Sequence, residues 1–545
     1  MSILKETNYK YLNKASNGFC KVLKIRKIFA LQPSEKLQGC NFENDVKSFN
    51  FDILNTFLLF VSAQTVSRWV PRDKTSRPFL GKCYSQIQYQ KSQKRLKMKK
   101  YDVIVIGAGP GGYECASVLA KEGKNVCIIE KNEMQLGGTC LNEGCVPAKQ
   151  YLETASYLAK SSYAQSCGID VKKPHLDISL LKKKKDELTQ QLRSGIQTKL
   201  KKVQIIFGDA SFKDENTLLV ANEEIRFDHC VIATGSIHRP HPTLEADGNL
   251  ILSSKEIFEL QTLPRKILIV GGGAIGCEFA TFFNAAGVEV VLAEFTPTLV
   301  PNEDKDVAQT LERELKKKGI RVHVNTNVTN HIKNQNSIVI TLQTPKEELQ
   351  EEFDFVLVSI GRIPNTCTLN LNNAKIQTQK DFILTNKHLQ TSNPHIYAIG
   401  DVIKTPALAH MAYNEALTVA NNLTKETLHV SAVNVPFVTF CQPQVASVGK
   451  NEKTLTQEGR EFIVKKHFYK SSAKAKIKGD DSGFIKLLVD KNSDEILGGS
   501  MVGNEVTELI HQILIAINAK LTCKDLAKMV FAHPTLSESL WEMLN

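Results

Sequence analysis

Two cysteines five positions apart, Cys140 and Cys145, lie in the run Gly137-Gly138-Thr139-Cys140-Leu141-Asn142-Glu143-Gly144-Cys145-Val146-Pro147-Ala148-Lys149. Their spacing is wider than the two-residue gap of zinc knuckles and thioredoxin-like sites. Taken alone, a cysteine pair is most often two buried structural thiols. Here it follows a glycine-rich nucleotide motif, so a disulfide that exchanges two electrons with a nucleotide-bound redox cofactor is expected. A second chemical candidate closes the chain, Phe531-Ala532-His533-Pro534-Thr535-Leu536-Ser537-Glu538. A His and a Glu five apart across a Pro-Thr turn can make a base and the carboxylate that orients it. Only a thiolate is competent in disulfide exchange, which gives such a base a task.

The elements that must position these residues are announced by an internal repeat. The first copy runs Val103-Ile104-Val105-Ile106, then the glycines Gly107, Gly109 and Gly112, a helical stretch to Gly123 and a strand ending at Glu130. The second runs Ile267-Leu268-Ile269-Val270, then Gly271, Gly273 and Gly276, a helical stretch to Gly287 and a strand ending at Glu294. From first glycine to acid is 23 positions in both copies. A lone GxGxxG is weak, but two copies in a strand–turn–helix–strand context, each with its acid, predict two dinucleotide sites. In each, the helix N-terminus faces the pyrophosphate and the acid accepts from an adenosine ribose. A negative charge at Glu294 repels a 2′-phosphate, so the second unit is expected to prefer NAD over NADP. Both acids could otherwise be surface residues at strand ends.

Bulk properties add bounds. A chain of 545 residues is too long for one core and predicts three or four domains. Thirteen cysteines, scattered apart from the pair, are not a secreted disulfide framework and predict a reducing compartment. The whole net charge of +12 lies before Met98, where 18 basic residues face 6 acidic ones. The rest is neutral, so charge gives no reason to expect nucleic acid as a partner. The apolar stretch 51–63 is too short to span a bilayer. The segment 1–97 is basic and shows no period or glycine loop. It reads as a targeting segment, a disordered tail, or sequence upstream of a start at Met98, the last being favoured. A cytoplasmic location is expected, or the mitochondrial matrix if 1–97 is a transit segment. A polar helix is expected over 176–202, with Lys182 to Lys185 on a solvated face.

From about Met98 to the C-terminus the chain resembles the flavin-dependent pyridine-nucleotide disulfide oxidoreductases. The resemblance rests on the cysteine run, both glycine units and the C-terminal motif. Three further segments carry it: Ala233-Thr234-Gly235, Gly361-Arg362-Ile363-Pro364-Asn365-Thr366, and Thr391 through Ile399-Gly400-Asp401. It implies an α/β fold with two Rossmann-like dinucleotide-binding domains, for FAD and NAD, and a C-terminal α+β dimerisation domain. It places FAD on Gly107, Gly109, Gly112 and Glu130, with Thr234, Gly235, Gly400 and Asp401 completing the site, and NAD on Gly271, Gly273, Gly276, Glu294 and Gly361. Lys149 is implied to set its ammonium by the flavin N5 region, where it would stabilise the reduced ring; otherwise it is an ordinary helix lysine. Cys140 and Cys145 are the implied redox pair, with His533 and Glu538 supplied by the other subunit of a homodimer. No metal is implied.

The Leu536-Ser537-Glu538 ending is similar to the branch that oxidises protein-bound dihydrolipoamide with NAD⁺, in 2-oxo acid dehydrogenase or glycine cleavage complexes. Glutathione-type reductases typically read Ser-Ala-Glu-Glu there. The chain departs from the family at Phe531, where a His is usual, at Ala409-His410-Met411, where a Lys follows the His, and at Thr439-Phe440-Cys441-Gln442-Pro443-Gln444. These leave the tuning of the redox potential open. Expected boundaries are an extension 1–97, an FAD domain 98–250, an NAD domain 251–366, a central domain 367–432 and an interface domain 433–545. The rival readings are a glutathione-like reductase of small disulfides using NAD(P)H and a binding or scaffold protein without chemistry. Mercuric reduction is disfavoured because no cysteine follows Cys523.

Overall fold

The computed structural model describes residues 99–171, 174–425 and 434–545. The N-terminal extension and the boundary expected near 432 lie outside the described residues.

The first repeat begins with the strand Lys99–Ile106, whose residues Val103 to Ile106 are buried. A run apolar on both faces suits the middle of a parallel sheet covered on both sides. The strand pairs in parallel with Val126–Glu130 on one flank and Glu223–Ile232 on the other. Gln204–Phe207 extends one edge in parallel, and the antiparallel strands Thr217–Val220 and Ala210–Asp214 extend the other. Ile396–Ala398 adds in parallel to Glu223–Ile232, so a segment far along the chain completes this first sheet.

The second repeat builds a separate parallel sheet in the order Arg321–His323, Glu289–Ala293, Lys266–Val270, Phe355–Val358, Ile251–Leu252. An antiparallel three-stranded sheet lies in its last crossover. The C-terminal part is an antiparallel five-stranded sheet, with Gln444–Gly449, Ile496–Gly503 and Phe484–Asp490 at its centre. The amphipathic helix Val506–Asn518 buries Val506, Ile510 and Ile513 in one core with Met501 and Ile485 of that sheet. Among the described residues no helix is long and apolar enough to cross a membrane.

Every residue of Phe484–Asp490 is buried, including Lys486. The Lys486 ammonium lies 2.8 Å from Asp304, 2.7 Å from Asp306 and 2.6 Å from Glu452. Asp304 and Asp306 stand at the start of the helix Lys305–Lys317 beside the second sheet, so this cation ties that unit to the C-terminal sheet. A buried lysine persists because three carboxylates replace its lost water.

The polar helix forms over Ile178–Lys199, with Asp177 accepting from the amides of Ser179 and Leu180 at its N-terminus. Its lysine run is not uniformly solvated. Lys183 and Lys184 are exposed, but Lys185 is buried and pairs with Asp186 at 2.7 Å and Glu259 at 3.2 Å. Lys185 falls on the inward stripe with Leu181 and Thr189, a helical turn on either side.

Candidate active site

The two glycine loops are alike at atomic detail. Gly107 has φ +98°, and a Cβ there would come within 2.4 Å of the Ala233 carbonyl; Gly271 has φ +108° and would meet the Ser359 carbonyl at 2.5 Å. Each loop thus passes under the end of the neighbouring parallel strand at a distance only glycine permits. The third glycines bring helix onto strand, since a Cβ on Gly112 or Gly276 would come within 2 Å of the first glycine's carbonyl. Helices Pro110–Lys121 and Ala274–Ala285 follow, and neither has a side-chain cap. Their first amides are therefore available to an anionic group, as a dinucleotide pyrophosphate requires.

The two acids have a task that spacing alone did not disclose. Glu130 accepts from the Ala108 amide at 2.8 Å and the Lys131 amide at 2.7 Å. Glu294, buried, accepts from the Gly272 amide and from Thr296 at 2.7 Å. In both units the acid at the strand end clamps the residue after the first glycine, so it sets the shape of the loop. Burial pushes the Glu130 carboxyl up, against the pull of those two amides.

Three distant segments meet beside the first loop. Asn365 donates from its amide to Gly235 at 2.9 Å and accepts from the Thr234 hydroxyl on its own carbonyl at 2.7 Å. Arg362 Nε donates to Ser236 Oγ at 2.7 Å, and that hydroxyl donates to Asp401 at 2.5 Å. Gly400, at φ +72°, donates to Glu415 at 2.6 Å. Burial pushes the Glu415 carboxyl up to about 7. Gly361, at φ +108°, accepts from the Arg239 amide at 2.9 Å. The structure therefore gathers Thr234, Gly235, Gly400 and Asp401 with Arg362 of the 361–366 segment and adds Ser236 and Glu415, which the sequence does not single out; Gly361 stands two residues past Ser359, whose carbonyl meets the second loop at Gly271.

Cys140 lies in the short helix Gly138–Asn142, and Cys145 opens the 22-residue helix Cys145–Ser166. The hydrogen bond from Cys140 lowers the Cys145 thiol to about 7, with Lys149 adding to the effect against burial and Glu278. That same contact, with burial, pushes Cys140 well above the usual thiol range. One turn into the helix, Lys149 Nζ is 2.9 Å from both oxygens of Glu278 and 4.5 Å from the centre of the Phe440 ring. Glu278 is buried and also accepts from the Phe440 amide at 3.0 Å. Glu278 belongs to no sequence motif named above; its one signal is that it is a lone acid in the apolar helix Ala274–Ala285.

His533 Nδ1 is 3.1 Å from both oxygens of Glu538. The imidazole is 76% exposed while the carboxylate is 6% exposed. A buried acid thus fixes the ring by one nitrogen and leaves Nε2 open. Glu538 is itself placed by the helix Glu538–Glu542 and by the Thr535 amide at 3.4 Å.

Two loops that fit dinucleotides, a thiol pair of unequal acidity and an ordered imidazole together define a nucleotide-linked disulfide enzyme. Residues 101–416 match the pyridine nucleotide-disulphide oxidoreductase profile and residues 435–544 match that family's dimerisation domain, so the chain belongs to this family. Among its relatives, a dihydrolipoyl dehydrogenase of Bacillus subtilis is 36% identical over 448 residues, covering 81% of this chain and 97% of its own length. One from Mycobacterium bovis is 36% identical over 456 residues, covering 82% and 97%. Among solved structures, the HOCl-induced flavoprotein disulfide reductase RclA of Escherichia coli superposes with a TM-score of 0.74 at 27% identity, covering 82% of this chain and 99% of that one. The cofactors are FAD and NAD, and the protein is a homodimer.

Proposed function

We propose that this chain is a dihydrolipoyl dehydrogenase, oxidising protein-bound dihydrolipoamide to lipoamide and delivering the electron pair to NAD⁺. The observation that carries this reading is that one chain holds both an asymmetric thiol couple, Cys140 and Cys145, and an exposed imidazole ordered by Glu538. The dihydrolipoyl dehydrogenases among its relatives support the choice of substrate. Lipoyl-bearing proteins of 2-oxo acid dehydrogenase or glycine cleavage complexes are then its partners. The scattered cysteines support a reducing site of action, the cytoplasm, or the mitochondrial matrix if 1–97 is a transit segment.

The first loop with Glu130, Thr234, Gly235, Gly400 and Asp401 holds FAD, and the second with Glu294 and Gly361 holds NAD. When bound, FAD supplies the carrier between the dithiol and NAD⁺. With Nδ1–H directed at Glu538, Nε2 of His533 of the partner subunit takes the proton of a dihydrolipoyl thiol. The thiolate attacks Cys140 Sγ, a new S–S bond forms, and the Cys140–Cys145 bond breaks with Cys145 leaving as thiolate. The more acidic thiol is the better leaving group, so the unequal acidities set the direction of attack. The second dihydrolipoyl sulfur closes lipoamide and expels Cys140, its own proton passing to the Cys140 sulfur as that sulfur leaves. Substrate has then lost two electrons and two protons, one proton on Cys140 and one on His533, and the disulfide has become a Cys140 thiol with a Cys145 thiolate. Lys149 stands by the Cys145 thiolate as its counter-charge, itself fixed by Glu278.

The fold likeness to a flavoprotein disulfide reductase keeps one rival in view, a reductase of small disulfides using NAD(P)H. Steady-state turnover of the purified holoprotein with dihydrolipoamide and NAD⁺, beside glutathione disulfide with NADPH, separates the two. We expect turnover with the first pair and little with the second. The reverse result would overturn the proposal.

A further inference from the structure

Two His–Glu couples are mounted on one short helix, and only one of them has a task so far. The helix is Glu538–Glu542, and its first residue orders His533. Its last residue, one turn on and on the same side, meets a second imidazole: His467 Nε2 is 3.1 Å from Glu542 Oε2. His467 lies in the strand Phe462–Phe468, at the edge of the C-terminal sheet. The His533 side chain is 76% exposed and that of His467 only 14%. One couple faces outward, and the other is enclosed between helix and sheet.

Charge holds the inner couple. His467 Nε2 and Glu542 Oε2 are both buried, and among the described residues neither makes a hydrogen bond. What acts between them at 3.1 Å is then the attraction of an imidazolium for a carboxylate. A buried carboxylate oxygen without a donor is costly unless a cation stands beside it. The other charged groups of the neighbouring elements are engaged elsewhere. Lys466 and its cross-strand partner Lys486 belong to the opposite face of the sheet, where both pair with Asp306. Asp490 takes Arg460, and Glu538 takes His533. Lys465 shares the face of His467 two positions earlier, and among the described residues it forms no ion pair with Glu542.

The helix has reason to be pinned at both ends. It has five residues, too few to hold a helix by its own hydrogen bonds. At its start Gln512 Nε2 donates to Ser537 Oγ at 2.8 Å, and along it Trp541 Nε1 donates to the Ala527 carbonyl at 3.1 Å. Leu540 joins the core that holds Ile485, the residue opposite His467 in the strand pairing. We propose that His467, as the imidazolium partner of Glu542, is a positioning residue that pins the far end of this helix and thereby aims Glu538 at His533. It acts only through Glu542 and the helix between the two acids. The inference deepens the role given to His533 above and rests on it.

The test is ring nitrogen NMR of the FAD-loaded holoprotein labelled with ¹⁵N-histidine, at mildly alkaline pH, with His533 assigned by His533→Gln. The tautomer of an imidazole is set by the hydrogen bond its other nitrogen makes. Wild type should show His533 as the single Nδ1–H form. His467→Phe and Glu542→Gln should each give a mixture of tautomers, and His467→Lys, which keeps a cation, should restore the single form. The double variant should be no worse than either single one, since both remove the same contact. With dihydrolipoamide, kcat of His467→Phe should fall on the order of tenfold, a part of the roughly 10²–10⁴ that a positioned base is worth. Bound FAD, read by absorbance, should be unchanged throughout. Because the tautomer is read without any thiol substrate, this contrast stands or falls apart from dihydrolipoamide turnover. A wild-type tautomer in both His467→Phe and Glu542→Gln would overturn the proposal, as would a His467→Lys protein no better than His467→Phe.

Discussion

Lys149 and Glu278, 129 positions apart, form a bidentate ion pair at 2.9 Å on the first turn of the helix that Cys145 opens. The two charges act on the Cys145 thiol with opposite sign, Lys149 lowering it and Glu278 raising it.

That opposition gives a signed prediction. The Cys145 thiol, lowered to about 7, becomes a thiolate as pH rises through that value and is reprotonated below it. In a Cys140→Ser background, where the Cys140 thiol no longer contributes, the long-wavelength absorbance of a thiolate against oxidised flavin reports the Cys145 titration under the charges that remain. Lys149→Met should move the midpoint to higher pH, and Glu278→Gln to lower pH. Absorbance seen only in Cys145→Ser would mean that the two sulfurs have exchanged roles.

A nucleotide preference is expected of the second loop. Glu294 is buried and already clamps the Gly272 amide, so it cannot swing away from an added phosphate at low cost. Charge repulsion and a lost ribose hydrogen bond predict roughly a hundredfold preference for NAD over NADP in kcat/KM. Equal rates with the two nucleotides would remove Glu294 from this role.

A stability prediction falls on Lys486. Lys486→Met leaves Asp304 and Glu452 without that cation and Asp306 with Lys466 alone, the three carboxylates still gathered around the vacated position. Breaking a buried ion pair by removing one partner costs about 3–5 kcal/mol. The thermal midpoint of the holoprotein, compared at one scan rate, should therefore fall by several degrees, and an unchanged midpoint would contradict the structural role given to this residue.

What could be read in the sequence, and what could not, divides along a physical line. Gly107 and Gly271 are legible because a positive φ under a strand end leaves no other residue type free to stand there. The thiol pair and the His533–Glu538 couple are legible because both partners lie within five positions of each other. Glu278, Ser236 and Glu415 reach the site through tertiary pairing of distant segments, and no spacing announces that. Lys486 sits in a strand that otherwise reads as apolar, and Lys185 in a run that reads as solvated; only the opposing carboxylates explain why each is buried. The spacing of Glu130 and Glu294 points to a ribose and not to the loop amides they clamp, which come within reach only once the turn is folded.

The most direct test of the account is a mixed dimer of one Cys140→Ser chain and one His533→Gln chain. Each homodimeric variant should lose activity with dihydrolipoamide by roughly 10²-fold or more, the usual worth of a positioned base or an essential nucleophile. If every site takes its thiol pair from one subunit and its imidazole from the other, one site of the mixed dimer carries both defects and the other carries neither. About half of the wild-type turnover with dihydrolipoamide and NAD⁺ should then return, since one of two sites is intact. A mixed dimer as inactive as its parents would show that the site is built within a single chain.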